Sequence, residues 1–269
     1  MEANSEEVNV AEGEMVGSEE ATGQAANEEV ARNVDERAAK QRMPGAFDIA
    51  FLSGASDITE LLLVRHGQQE YDVNGPAGDL VDPPLSALGR DQARLVGAAL
   101  STEHIDAVYA SPLQRALETG REIARHQRLE PTIIDDLREV EVFRDVPRDR
   151  TPLDYIGSLA LTGTRHRMVY EKSWDVYPFS EPSHEFRRRV LNAIEGIISA
   201  HPNQRVAIAC HGGVINAYIG HIIGSKYDMF FRPAHTSVNV VAAGGGVRAL
   251  YSLNNALHLQ TAEGSFLSV

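Results

Sequence analysis

Leu61-Leu62-Leu63-Val64-Arg65-His66-Gly67 is the stretch that decides the architecture. Four consecutive apolar residues are too few for a buried helix and suit a short strand covered on both faces. The run ends on an arginine and a histidine, followed by a glycine that removes side-chain bulk and permits unusual backbone angles. An imidazole placed there stands at the carboxyl end of a buried strand. Taken alone, the same pattern also describes a histidine that only satisfies local hydrogen bonds.

Working outward, Ser86 is an N-cap for a helix to Leu100, with Leu88, Leu95, Val96 and Ala99 on its apolar side. Ile105–Ala110 reads as a strand, and Pro112 at a first helical position opens a helix to about His126. Pro131–Ile134 is a third short strand, Glu181–Ala200 a helix and Val206–Cys210 another buried strand. Gly213 leads into a helix through Ile223. Ser237–Ala242 and Val247–Leu253 flank Gly244-Gly245-Gly246 as a terminal hairpin. Strands alternating with helices predict an α/β fold, three-layer α/β/α with a largely parallel central sheet. Ligands in such sheets bind beyond the carboxyl ends of the strands.

The formal net charge of −13 is unevenly spread. Residues 1–45 carry eleven acids against four bases and no aromatic residue. Such a segment cannot bury enough surface to offset its ordering entropy, so it is expected to be a disordered acidic tail. Residues 46–269 form the expected catalytic domain. Within it, 143–180 lacks clean periodicity and is rich in arginine, which suggests a lid or cap inserted over the rim. No basic stripe exists to replace counterions, which argues against nucleic acid as a partner. No run of about 18–20 apolar residues suggests a membrane span. The single cysteine, Cys210, rules out an internal disulfide framework, so a cytoplasmic location is expected.

His211-Gly212-Gly213 repeats the strand–histidine–glycine arrangement after a different strand, and its glycines leave amides uncovered at a helix start, where an anion is favoured. Arg115 lies one turn into the helix after a third strand. Its guanidinium can reach the same rim and bind phosphate oxygens bidentately. Glu139 supplies a carboxylate ahead of the expected lid, with Glu141 as a rival. Cys210 follows an apolar run and reads as a packing residue rather than a thiol nucleophile. His104, His126, His201, His221 and His258 have no ligand-like spacing.

Together these motifs resemble branch 1 of the histidine phosphatase superfamily, the phosphoglycerate-mutase-like group, over about Glu60–Leu253. Arg65-His66-Gly67-Gln68-Gln69-Glu70-Tyr71-Asp72 is similar to the family's Arg-His-Gly-Glu-Thr-x-x-Asn. Leu85-Ser86 with Gly89, Gln92 and Ala93 resembles its helix start, and Ser111-Pro112-Leu113-x-Arg115-Ala116-x-Glu118-Thr119 its Ser-x-Leu-x-Arg-Ala-x-x-Thr. Glu181 with Glu185, Phe186, Arg189 and Val190 resembles Gly-Glu-Ser-x-x-Glu-Phe-x-x-Arg-Val. The resemblance implies a phosphomonoester hydrolase acting through phosphohistidine. His66 is then the nucleophile, Glu139 the general acid and base, and His211 a catalytic and phosphate-binding residue. Arg65, Arg115 and Gly212 also bind phosphate. With cations supplied by side chains, no metal or cofactor is implied. The implied partner is a small phosphorylated metabolite, and a homo-oligomer is possible because the family contains monomers, dimers and tetramers.

The chain also departs from the pattern at several positions, and two alternatives stay open. Asp72 stands where the family often has Asn near the phosphate, and Phe143 where many members have Gly after the acid. Gln68-Gln69 replace the usual Glu-Thr or Glu-Ser, and Pro182 replaces a Ser. The alternatives are a phosphoglycerate mutase and a catalytically inactive member that binds phosphorylated partners. His235 sits before the terminal strand, where the family brings residues near the pocket.

Overall fold

The computed structural model describes residues 44–269 except 71, 73 and 263. The acidic segment expected to be disordered thus lies outside the described residues, save its last two positions. In chain order the elements are α1 (Ala46–Ala50), β1 (Thr59–Arg65), α2 (Ala87–Ala99), β2 (Ala107–Ala110), α3 (Gln114–Gln127), β3 (Thr132–Ile133), α4 (Pro152–Ile156), α5 (Ser158–Glu171), α6 (Ser183–Ala200), β4 (Arg205–Cys210), α7 (Gly212–Ile222), β5 (Val238–Gly244), β6 (Val247–Asn255), β7 (Gln260–Thr261) and β8 (Gly264–Ser265). The main sheet has the order β3-β2-β4-β1-β5-β6. Its first four strands are parallel, while β5 runs antiparallel to β1 and pairs with β6 as a hairpin.

The period of two along β1 divides its side chains between two cores. Leu61 and Leu63 pack with Val190, Ile194, Val214, Ile215 and Tyr218 of α6 and α7. Leu62 and Val64 pack with Val96 of α2 and with Ile123 and Ala124 of α3. Helices therefore cover both faces of the sheet, which is the expected three-layer arrangement. Each leucine withdrawn from water in this way contributes roughly 1.5–3 kcal/mol.

Helix α2 starts as expected, with Ser86 Oγ accepting from the amide of Gly89. Its buried face differs from the expectation. Gly89, Gln92, Ala93, Val96 and Gly97 are buried, whereas Leu88 and Leu95 are half-buried and Ala99 is exposed. Close approach explains the difference. A Cβ on Gly89 would lie 1.9 Å from the carbonyl oxygen of Gln68, and one on Gly97 2.6 Å from that of Glu122. Small residues, not large ones, select the face.

Two helices start later than expected. Pro112 lies ahead of α3 because the amide of Gln114 donates to Asp82 Oδ1 at 2.8 Å and opens the helix there. Glu181 stays outside α6 because its carboxylate is engaged by Arg189. The β5–β6 turn is as expected: Gly245 and Gly246 have φ of 55° and 81°, the two left-handed positions of a tight hairpin.

Residues 143–180 form α4 and α5 and bury few side chains, among them Val146, Pro152, Thr164 and Val176. They are tied to the β1–α2 loop, where the amides of Ala77 and Gly78 donate to the carbonyls of Arg150 (2.8 Å) and Arg148 (3.0 Å). Among the described residues no helix is long and apolar enough to cross a membrane.

Candidate active site

Strands β1 and β4 are parallel neighbours with Arg65 opposite Cys210. The next residue of each, His66 and His211, therefore leaves the sheet side by side. The amide of His66 donates to the carbonyl of Cys210 at 2.9 Å, and the two imidazoles lie 5.1 Å apart.

His66 is 3% exposed. Its Nδ1 lies 2.7 Å from the carbonyl oxygen of Gly67. A carbonyl only accepts, so Nδ1 carries the proton and Nε2 keeps its lone pair. Arg115 Nε donates to that Nε2 at 3.4 Å. Burial first, then Arg115, His211 and Arg65, hold the His66 pKa well below its ordinary value. The ring is neutral at physiological pH, with one nitrogen available as a nucleophile. Gly67 is required by packing, since a Cβ there would meet the carbonyl oxygen of Gly89 at 2.3 Å.

Three cationic or donor groups surround this nitrogen. Arg65 Nη1 donates to the carbonyl of Pro233, and its Nε is buried without a partner among the described residues. Burial lowers the Arg65 pKa to about 10, with Glu139 opposing the shift, so the guanidinium stays charged. Arg115 donates through Nη1 to the carbonyl of Val81 (3.2 Å) and lies 3.8 Å from the Asp82 carboxylate. Thr119 fixes the start of this helix to β1, accepting from the amide of Gly67 at 3.1 Å and donating to the carbonyl of Arg115 at 2.8 Å. His211 Nε2 lies 2.8 Å from Ser111 Oγ. That hydroxyl also accepts from the amide of Leu113. His211 Nδ1 is buried without a partner among the described residues. Gly212, half-exposed at the start of α7, lies against Arg65 Nε: a Cβ there would be 3.7 Å from it.

The structure separates the rival carboxylates. Glu139 Oε2 accepts from the amide of Gly213 at 3.0 Å, and Oε1 from the amide of Val140 at 3.0 Å. Glu141 is paired instead with the exposed Arg148. The loop that carries Glu139 is clamped from α6. Arg189 donates to the carbonyls of Asp136 (2.7 Å), Arg138 (2.7 Å) and Glu139 (3.1 Å), and pairs bidentately with Glu181 at 2.8 Å. Sequence reading assigns this pair no role beyond its motif. Among the described residues no group of three or more His, Cys, Asp or Glu side chains is arranged to hold a metal ion.

His235 comes closer than its sequence position alone suggested. It is 5% exposed, and its ring lies 5.8 Å from that of His66. Burial, then Arg65, lowers its pKa to about 3. His258 also reaches the site indirectly, bonded at 3.0 Å to Thr236 Oγ1; the amide of Thr236 donates to the carbonyls of Arg65 and His66. Asp72 is exposed, and its Oδ1 accepts from the amide of Asn74 at 2.9 Å in a local turn. Gln68 serves packing, its Oε1 accepting from Ser86 Oγ at 2.9 Å. Phe143 adopts φ 68°, the left-handed conformation natural to the glycine it replaces, and stacks edge-on against Tyr177. Cys210 is fully buried, and burial pushes its thiol pKa far up.

Comparison with known proteins finds relatives of the chain. Phosphoserine phosphatase 1 of Hydrogenobacter thermophilus is 28% identical over 210 residues, covering 75% of this chain and 95% of that protein. A probable phosphoglycerate mutase of Serratia proteamaculans is 29% identical over 167 residues, covering 61% of this chain and 75% of that protein. The fold matches that of a mycobacterial glucosyl-3-phosphoglycerate phosphatase with a TM-score of 0.62 at 20% identity, over 74% of this chain and 100% of that one. The family profile "Histidine phosphatase superfamily (branch 1)" spans residues 61–256, from the first residue of the apolar run to the end of the terminal hairpin. The chain belongs to branch 1 of the histidine phosphatase superfamily.

Proposed function

We propose that the protein is a phosphomonoesterase that hydrolyses a small phosphorylated metabolite through a phosphohistidine at His66. The observation that carries this reading is the bond from His66 Nδ1 to the carbonyl of Gly67, which leaves Nε2 unprotonated beside Arg115. Nε2 attacks phosphorus and the P–O ester bond breaks. Glu139, protonated in this step, gives its proton to the departing alkoxide. In the second step water attacks phosphorus, Glu139 takes the water's proton, the P–N bond breaks and inorganic phosphate leaves. Arg65, Arg115, His211 and the start of α7 at Gly212 stabilise the charge on the phosphoryl oxygens. Two buried polar atoms without partners among the described residues, Arg65 Nε and His211 Nδ1, support that assignment. Segment 143–180, tied to the loop that presents Val81 and Asp82 to Arg115, is assigned as the lid. The single buried cysteine suits a reducing compartment, and we assign the enzyme to the cytoplasm.

The test is phosphate release from p-nitrophenyl phosphate in the presence of EDTA, comparing wild type with His66→Ala. Turnover without any bisphosphate primer, lost in the variant, together with an acid-labile phosphoenzyme trapped in the wild type, supports the reading. Phosphoryl transfer between hydroxyls that requires a primer would make the protein a mutase, and equal activity in both proteins would remove His66 as the nucleophile.

A further inference from the structure

The family profile ends at residue 256, yet the chain beyond it returns to the site. Gln92, fully buried in α2, accepts through Oε1 from the amide of Gln68 at 2.9 Å, so the orientation of its amide is fixed. Its Nε2 donates to the carbonyl of Phe266 (2.7 Å) and to Ser268 Oγ (2.8 Å). Ser268 in turn holds His235 twice. Its carbonyl accepts from the amide of His235 at 2.9 Å, and its Oγ lies 2.7 Å from His235 Nδ1. The chain of bonds therefore runs from Gln68, beside the nucleophile's glycine, through Gln92 and Ser268 to a ring 5.8 Å from His66.

The surroundings of His235 explain why an imidazole is held so firmly there. Arg65 and Arg232 stand nearby. Thr236, next in sequence, adopts φ 56° while its amide is shared between the carbonyls of Arg65 (3.0 Å) and His66 (3.3 Å). A leucine could wall off His66 without any demand for hydrogen bonds. A buried imidazole needs a partner for each polar nitrogen or is left costly. Ser268 meets that need at Nδ1. His66 is thus enclosed by the rings of His211 and His235, the Gly67 carbonyl and the Arg115 guanidinium.

We infer that His235 is a positioning residue for the phosphoryl-accepting imidazole, and that the C-terminal segment Gly264–Val269 holds it in place through Ser268. The inference rests on His66 being the nucleophile. It implies that the enzyme needs residues 264–269 for turnover although they lie beyond the stretch that the family profile spans.

The experiment measures kcat, KM and thermal midpoint on the full chain with p-nitrophenyl phosphate for Ser268→Ala, Ser268→Thr, His235→Ala and His66→Ala. A small displacement of a reacting group can cost up to about a hundredfold in rate. Ser268→Ala and His235→Ala are expected to lower kcat by about 10-fold, with little change in KM. Ser268→Thr, which keeps the hydroxyl, restores most of the loss, and the half-exposed Ser268 is replaced with little change in thermal midpoint. A Ser268→Ala enzyme with wild-type kcat, or a loss that threonine does not restore, overturns the inference while an inactive His66→Ala leaves the hydrolase reading standing. Activity surviving in His66→Ala overturns both.

Discussion

Glu139 and Gly213 are in direct contact: the carboxylate accepts from the glycine amide at 3.0 Å, and a Cβ on the glycine would lie 2.1 Å from Oε1. The carboxylate therefore occupies the volume that any larger residue at 213 would claim. Gly213→Ala is expected to push Glu139 out of line and to lower kcat by about 100-fold. Steady-state kinetics with p-nitrophenyl phosphate check this, and a kcat near wild type would show that the carboxylate reaches its place by another route.

The Arg189–Glu181 pair makes a second prediction. Both side chains are largely buried, and Arg189 also satisfies three carbonyls of the loop carrying Glu139. Burial alone would raise the Glu181 pKa, but Arg189 reverses this and holds it below the ordinary carboxylate range. Arg189→Ala leaves that charge uncompensated and is expected to cost about 3 kcal/mol in urea unfolding, with a fall in kcat. Arg189→Lys cannot reproduce the fork and should recover only part of either.

Acid stability follows from the buried imidazoles. His235 and His258 are held down to about 3 and about 4, both first by burial, and His66 and His211 lie well below their ordinary value. A histidine with a depressed folded pKa takes up a proton on unfolding once the pH drops below about 6.5. Stability is therefore unaffected above that value and falls as the pH drops toward about 4. The loss is about 1.4 kcal/mol per pH unit for each ring kept neutral. Urea unfolding at pH 7, 6 and 5 should show the decline, and His258→Gln should make it shallower. A flat profile would mean that these rings are hydrated in the folded protein.

Cys210 is expected to be chemically silent. It is fully buried, and burial raises its thiol pKa, so little thiolate exists to react. Iodoacetamide should leave the native enzyme active, and Cys210→Ala should keep activity while losing about 1 kcal/mol of stability from the small cavity. Inactivation by the reagent at a rate independent of unfolding would contradict this.

The strand that leads to His66, its partner leading to His211 and the helix with Arg115 were legible because apolar runs and glycines announce them locally. What the sequence concealed depends on contacts between distant segments. Arg189 reaches Asp136 and Glu139 across about fifty residues. His235 is set by Ser268 and Gln92, which no periodicity connects. The face of α2 was misread because Leu88 and Leu95 are larger than Gly89 and Gly97, although the backbone approach at the glycines decides the packing. The start of α6 was misread because Glu181 looks like a helical residue until Arg189 claims its carboxylate.

Strand β1 has a hydrogen-bonded neighbour on each side, β4 and β5, and helices over both faces. Amides of Leu61–Val64 should then exchange with solvent only when the whole domain opens, whereas those of α4 and α5, with few buried side chains, should exchange through local fluctuations. Proteolysis or mild heat would nick the outer segment long before it disturbed the residues at the end of β1. The backbone leading into His66 is therefore anchored in the part of the domain that opens last.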